Sequence, residues 1–265
     1  MTAIKRVLIT GAAGAIGRTL RAAWRGRYAM RLLDVVPPEP AGAGEETIVA
    51  DCADQQAMIA AAQGMDAIVH LAVDPKTRAA PERAWALIGA TWTVFEAARI
   101  AGARRFVFAS SNHAGGMAAM DEALASGVTP RPDSLYGICK VAGEAMARHH
   151  VDKHGLTALC LRIGSFKPVP VQIRDLKTWL SPGDMARLAE CGLTQNALRF
   201  AVVYGFSNNT RLPRRDPLWE TIGYRPQDDA ERFAATIAAA PGDPWIDGKP
   251  PLGAWFAERD WDVKA

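Results

Sequence analysis

Long apolar runs are missing from this 265-residue chain: no stretch approaches the ~18 residues that a membrane-crossing helix needs, so no span of the bilayer is expected. Cysteine is scarce. Cys52, Cys139, Cys160 and Cys191 stand far apart, without the CxxC or Cys/His spacing of a metal or redox motif, and they read as reduced thiols. No cluster of residues suited to a metal is evident. Neither sign of charge dominates, since 31 basic and 28 acidic residues leave a formal net charge of +3. Without a basic stripe, nucleic acid binding has no compositional support, although local positive charge can attract a small anion. Repeats and low-complexity segments are absent. The opening "MTAIKRVLITGAAGAIG" holds a short apolar run ending in glycines, with neither the h-region nor the cleavage site of a secretory signal. A soluble, cytoplasmic protein is expected.

Hydrophobic residues make up 49% of the chain and charged residues 22%, so an ordinary globular core is available. Short β-branched runs alternate with longer amphipathic segments. Strands are expected over 6–10, 30–35, 46–51, 67–72, 105–111, 157–164 and 200–205, and helices over 14–25, 54–62, 81–101, 136–154, 183–191 and 228–240. Repeated strand–helix–strand units require right-handed crossovers, which gives an α/β fold: a doubly wound parallel sheet of the Rossmann type. We expect a single such domain over 1–265. Residues 1–164 would mainly bind a cofactor and carry the catalytic groups, with 165–265 mainly substrate-side loops and a C-terminal cover. "GSFKPVPVQIRDLKTWLSPGD" reads as a long loop with one short helix, and long loops in compact domains are usually functional.

"VLITGAAGAIGRTL" sets Gly11, Gly14 and Gly17 between the first strand and a helix. A tight turn, the close approach of a pyrophosphate and close helix–strand packing each require a residue without Cβ. The phosphates would then lie at the positive end of the helix. Asp34, at the end of the second strand, can accept both ribose hydroxyls of NAD and would repel the 2′-phosphate of NADP. Arg18 and Arg31 nearby leave NADP an opening. Asp51 reads equally as a contact for the adenine amino group or as the cap of the helix starting near Asp54. His70 reads as a satisfied core histidine.

In "LYGICK", Tyr136 and Lys140 are four positions apart and share a helix face. An ammonium beside a phenol favours the phenolate, so this pair can remove a proton while hydride leaves the same carbon. "FASSNH" brings Ser111 to the carboxyl edge of the sheet to polarise a substrate oxygen, with Ser110 supporting the backbone.

Together "TGAAGAIG", Asp34, "HLA", "SSN" and "YGICK" resemble the extended short-chain dehydrogenase/reductases, a group of the NAD-dependent epimerases and dehydratases, over essentially the whole chain. "FASSNH", "RPDSLYG", "RIGSFKPVPVQIRDLKTWLS" and "IGYRPQDDAERF" are most similar to uronate dehydrogenases, which use NAD to oxidise the C1 hydroxyl of cyclic galacturonate or glucuronate to the aldarolactone. The resemblance implies Tyr136 as base, Lys140 on the cofactor, and Ser111, Asn112 and His113 around the sugar. It also implies Ser165 near the substrate or nicotinamide, and Arg174 on the uronate carboxylate. A guanidinium grips a carboxylate through two parallel bonds, although a loop arginine can equally be solvated. His113 can donate to a sugar hydroxyl or cap the next turn. The cofactor would run along Gly11, Gly14, Ala15, Ile16, Gly17 and Asp34, then Asp51, Cys52, Leu71 and Ala72, to Lys140 and Ser165.

Three positions depart from that pattern: Leu87 replaces a usual asparagine, Ala90 stands where glycine is common, and Pro75 stands where the uronate enzymes have a substrate-contacting serine. An epimerase or dehydratase is the competing reaction, and about 100 residues after the sixth strand are few for a nucleotide-sugar site. A noncatalytic NAD(P) sensor has no need of serine, tyrosine and lysine together. Trp92 and Phe95 on the helix 81–101 can pack on a second copy of the chain or on the sheet.

Overall fold

The computed structural model describes residues 3–73, 81–126, 129–239 and 243–258. The chain runs β1 (Arg6–Thr10), α1 (Ala15–Trp24), β2 (Ala29–Asp34), β3 (Glu45–Val49), α2 (Gln55–Ala62), β4 (Ala67–His70), α3 (Pro81–Ala101) and β5 (Arg105–Ser111). A 3-10 turn, Asn112–Gly115, leads to α4 (Met120–Ser126), α5 (Leu135–His154) and β6 (Thr157–Ile163). Next come the short pair β7 (Ser165–Phe166) and β8 (Trp179–Leu180) around α6 (Asp175–Thr178), then α7 (Pro182–Thr194) and β9 (Phe200–Gly205). Among the described residues the main sheet has seven strands in the order β3-β2-β1-β4-β5-β6-β9, every pair parallel.

Chain order reverses between β1 and β4, which opens a crevice beyond their carboxyl ends. Two apolar layers flank the sheet. One joins Val7, Ile9, Leu20 and Trp24 to Leu161, Trp179 and Phe206, and the other joins Leu8, Ile68, Phe95, Phe106 and Phe108 to Val151. Strands buried on both faces explain the unbroken apolar runs. Asp54 caps α2 by accepting from the Ala57 amide at 3.0 Å, and Ser134 caps α5 by accepting from the Gly137 amide at 3.1 Å. No described helix is long and apolar enough to cross a membrane.

Two expectations shift. The segment expected as a helix over 228–240 forms a shorter 3-10 run at Ala230–Thr236, capped by Asp229, which accepts from the Glu231 amide at 2.9 Å, while the Asp228 side chain is engaged by Ser181. Phe95 is fully buried and stacks on Phe106 at 4.0 Å, whereas Trp92 is 42% exposed, so only the tryptophan is free to meet a partner.

Candidate active site

β1 passes into α1 through a turn in which Gly11 has φ +72°, the left-handed region where a side chain is strained. A Cβ on Gly11 would also lie 2.7 Å from the Ala72 nitrogen, and one on Gly17 would lie 2.5 Å from the Gly11 carbonyl oxygen. The cradle is therefore as tight as the glycine spacing requires. No side chain caps α1 at Gly14, and its first turn carries no acid, so the positive end of the helix is left open to an anion. Asp34 Oδ2 accepts from the Ala13 amide at 2.9 Å, which fixes the carboxylate beside this turn. These features fit a dinucleotide: α1 for the pyrophosphate and Asp34 for a ribose.

Arg31 is committed elsewhere, to Glu46 at 2.7 Å and to the Ala61 carbonyl at 2.6 Å, while Arg18 donates to the Ala13 carbonyl and stays near the groove. Asp51 is not the cap of α2; it accepts from the Ala53 amide at 2.9 Å and the cap is Asp54. Cys52 is buried, and burial pushes its thiol up to about 12. Leu71 continues from β4, its amide donating to the Thr10 carbonyl at 3.1 Å. His70 shares a 2.7 Å hydrogen bond with Thr10, but its Nε2 has no protein partner, so the expected satisfied histidine is satisfied at one nitrogen. Burial, helped by repulsion from Lys140, pushes the His70 imidazole down to about 3.

α5 brings Tyr136 and Lys140 onto one face, with the Lys140 Nζ 5.4 Å from the centre of the Tyr136 ring and 5.1 Å from that of Phe108. Lys140 is only 3% exposed, and burial pushes its ammonium down to about 8, opposed by Cys139 and Glu144. Next to this pair, the His113 ring meets Tyr136 edge-on at 5.9 Å. Its Nδ1 lies 2.7 Å from Asp133 Oδ2, so the histidine is oriented by an acid; the turn is capped by Ser111, whose Oγ accepts from the His113 amide at 3.3 Å. Ser110 supports more than backbone: its Oγ donates to Glu144 at 2.6 Å.

The residues expected around the substrate converge through one carbonyl. Leu252 O accepts from Asn112 Nδ2 at 3.5 Å and from Arg174 Nη2 at 2.9 Å, and Arg174 Nη1 donates to Ser165 Oγ at 3.3 Å. Burial lowers the Arg174 pKa, its Nε is sealed without a partner, and Trp245 lies 5.5 Å from the guanidinium carbon. An arginine in this state favours an incoming anion. Phe256 closes on His113 at 4.4 Å. Ser111, Asn112, His113, Tyr136, Ser165 and Arg174 thus form one connected wall. Pro75 lies outside the described residues. Leu87 is packed with Ala84 and Cys139 between helices.

Sequence reasoning missed Asp133, Glu144, Trp245, Leu252 and Phe256. Asp133 stood one residue before a capping serine, a signal available in "RPDSLYG". The buried partners of Glu144, and the return of the C-terminal segment over Arg174, left no local trace.

The model of the NAD-dependent epimerase/dehydratase family matches residues 7–166. A uronate dehydrogenase of Pseudomonas putida is 39% identical, over 91% of this chain and 90% of its own length. An L-arabinose 1-dehydrogenase (NAD(P)+) of Haloferax volcanii is 34% identical over 85% of this chain and 97% of its own. A crystal structure of a mutant uronate dehydrogenase from Agrobacterium tumefaciens complexed with NAD superposes with a TM-score of 0.87 at 34% identity, covering 98% of this chain and 99% of the other.

Proposed function

The chain belongs to the NAD-dependent epimerase/dehydratase family, and from that premise we propose that it is an NAD-dependent dehydrogenase oxidising the C1 hydroxyl of a cyclic hexuronate to the aldarolactone. Bound NAD would supply the hydride acceptor for C1. Tyr136 takes the hydroxyl proton, Lys140 holds the ribose and favours the phenolate, and Ser111 donates to the reacting oxygen. Asn112 and His113 face the sugar hydroxyls. Gly11, Gly14, Ala15, Ile16 and Gly17 hold the pyrophosphate, with Asp34 on the adenosine ribose. Asp51, Cys52, Leu71 and Ala72 line the groove, and Ser165 meets its nicotinamide end.

The observation that carries the uronate assignment is Arg174, with its unpartnered Nε and lowered pKa on the wall shared with Ser165 and Asn112. A neutral sugar gives that cation nothing to pair with. Similarity to several uronate dehydrogenases supports the same reading. The four free, buried cysteines suit a reducing cytoplasm. We place self-association on α3 and α5, where Trp85, Trp92 and Ile138 are 62%, 42% and 44% exposed.

NADH formation from NAD with galacturonate, glucuronate, their neutral counterparts and small hydroxy acids tests the function. Turnover confined to uronates, and lost preferentially in Arg174→Met, is expected. Equal turnover of neutral sugars, indifferent to that substitution, overturns the uronate assignment, and NAD retained unchanged through purification would favour an epimerase.

A further inference from the structure

Glu144 follows Lys140 on α5 at the same spacing of four that separates Lys140 from Tyr136. It is 7% exposed, and its two oxygens accept from Arg162 Nε at 2.9 Å and Arg162 Nη2 at 2.8 Å, while Oε1 also accepts from Ser110 Oγ at 2.6 Å. Arg162, wholly buried on β6, donates Nη1 to the Tyr204 hydroxyl on β9 at 3.0 Å. Sheet register pairs Ser110 with Arg162 and Arg162 with Tyr204, so one carboxylate grips a row running across three strands. The Tyr204 hydroxyl in turn lies against Gly115, closer than a methyl group would permit. The network therefore touches the helix of Tyr136 and Lys140, the strand that ends in Ser111, and the turn that carries Asn112 and His113.

Stability alone is a poor reason for such a pair, because apolar side chains of similar volume usually serve a core as well. We propose that Glu144 is a positioning residue for the oxidation: its clamp on Arg162 and Ser110 sets α5 against β5, so that Tyr136 and Lys140 stay in register with Ser111, and its carboxylate supplies the negative charge that Lys140 faces. This rests on the dehydrogenase reading. Lys140 is faced by Tyr136, Cys139 and Glu144 from its own helix and by His70 from β4. Glu144 is faced by Arg162 and Cys160 from β6 and by Tyr204 from β9. Burial drives Lys140 toward its neutral form, and Cys139 and then Glu144 oppose this. With Glu144 neutralised, Lys140 releases its proton at lower pH and the Tyr136 phenolate loses its stabilising ammonium.

Glu144→Gln, Arg162→Met and the double variant test this against the parent, through kcat as a function of pH, KM for NAD and Tm. Tyr136 ionisation is read separately, as near-ultraviolet phenolate absorbance differenced against Tyr136→Phe in each background. Glu144→Gln should lower kcat ~10- to 100-fold with KM for NAD unchanged. The alkaline limb of its profile should move to lower pH, and Tyr136 should ionise at higher pH. The double variant should recover Tm while keeping the altered profile. Recovery of both Tm and profile would reduce the network to a structural ion pair and overturn the proposal, as would a Glu144→Gln profile superimposable on the parent's. Phenolate titration needs no substrate, so a protein silent on uronates would sink the function while leaving the Glu144 assignment to stand or fall on Tyr136.

Discussion

Gly143 lies between Lys140 and Glu144 on α5, and replacing it with alanine sets two effects of opposite sign against each other. Alanine favours a helix interior over glycine by ~1 kcal/mol. Against this, the new Cβ would lie 2.5 Å from Phe108 Cε1 and 3.0 Å from Cε2, with Cζ closer still. Carbon atoms rest about 3.5–4.0 Å apart, so ring or helix must give by ~1 Å. Phe108 has little room to do so: it is 1% exposed, stacked 6.0 Å from His70 and lying 6.1 Å from Phe95. Overpacking of this kind costs about 1–3 kcal/mol, which leaves a net loss of roughly 0–2 kcal/mol. Lys140 rests over the same ring, so a ~1 Å displacement should lower kcat by about 100-fold. Thermal denaturation and steady-state kinetics read both effects. Gly89→Ala is the control, since a Cβ there meets nothing within 4 Å; it should raise stability by ~0.5–1 kcal/mol. A Gly143→Ala protein more stable than the parent with undiminished kcat would refute the reasoning, showing that the close contact does not hold the helix in place.

Asp34→Ala removes the acceptor for the Ala13 amide and the repulsion of a 2′-phosphate; KM for NAD should rise ~10-fold while NADP becomes usable, read from paired cofactor titrations. Arg174→Met should raise KM for a uronate by about 10- to 100-fold, the worth of a charge-assisted hydrogen bond, and leave neutral sugars unaffected. Glu45 is held down to about 2, first by the Arg21 hydrogen bond, against opposing burial, and its side chain is 1% exposed. A depressed carboxylate stabilises the fold fully above its unfolded pKa and loses that contribution as pH falls toward 2. Glu45→Gln should therefore remove roughly 3 kcal/mol at pH 7 and flatten the acid limb of the stability profile, as followed by denaturant titration at several pH values. Trp92→Glu should lower the solution mass measured by light scattering if α3 carries the self-contact, and an unchanged mass removes that face from consideration.

Strand and helix order could be read along the chain because each signal is local. "RVLIT" followed by Gly11, Gly14 and Gly17, and the four-residue step from Tyr136 to Lys140, need only a few residues to be recognised. The chemistry of the groove follows from the same stretches, since a turn without Cβ atoms and an acid at the end of β2 restrict what binds there. Tertiary structure decided the rest, because its partners are distant in the chain. Leu252 offers its carbonyl to both Asn112 and Arg174. Burial, which no spacing reveals, lowers the pKa of Arg174 and moves that of Lys140 down to about 8. Glu144 looks in sequence like a solvated helix residue, and only folding encloses it with Arg162 and Ser110. Periodicity records which face of an element turns inward; what waits there depends on contacts across the sheet.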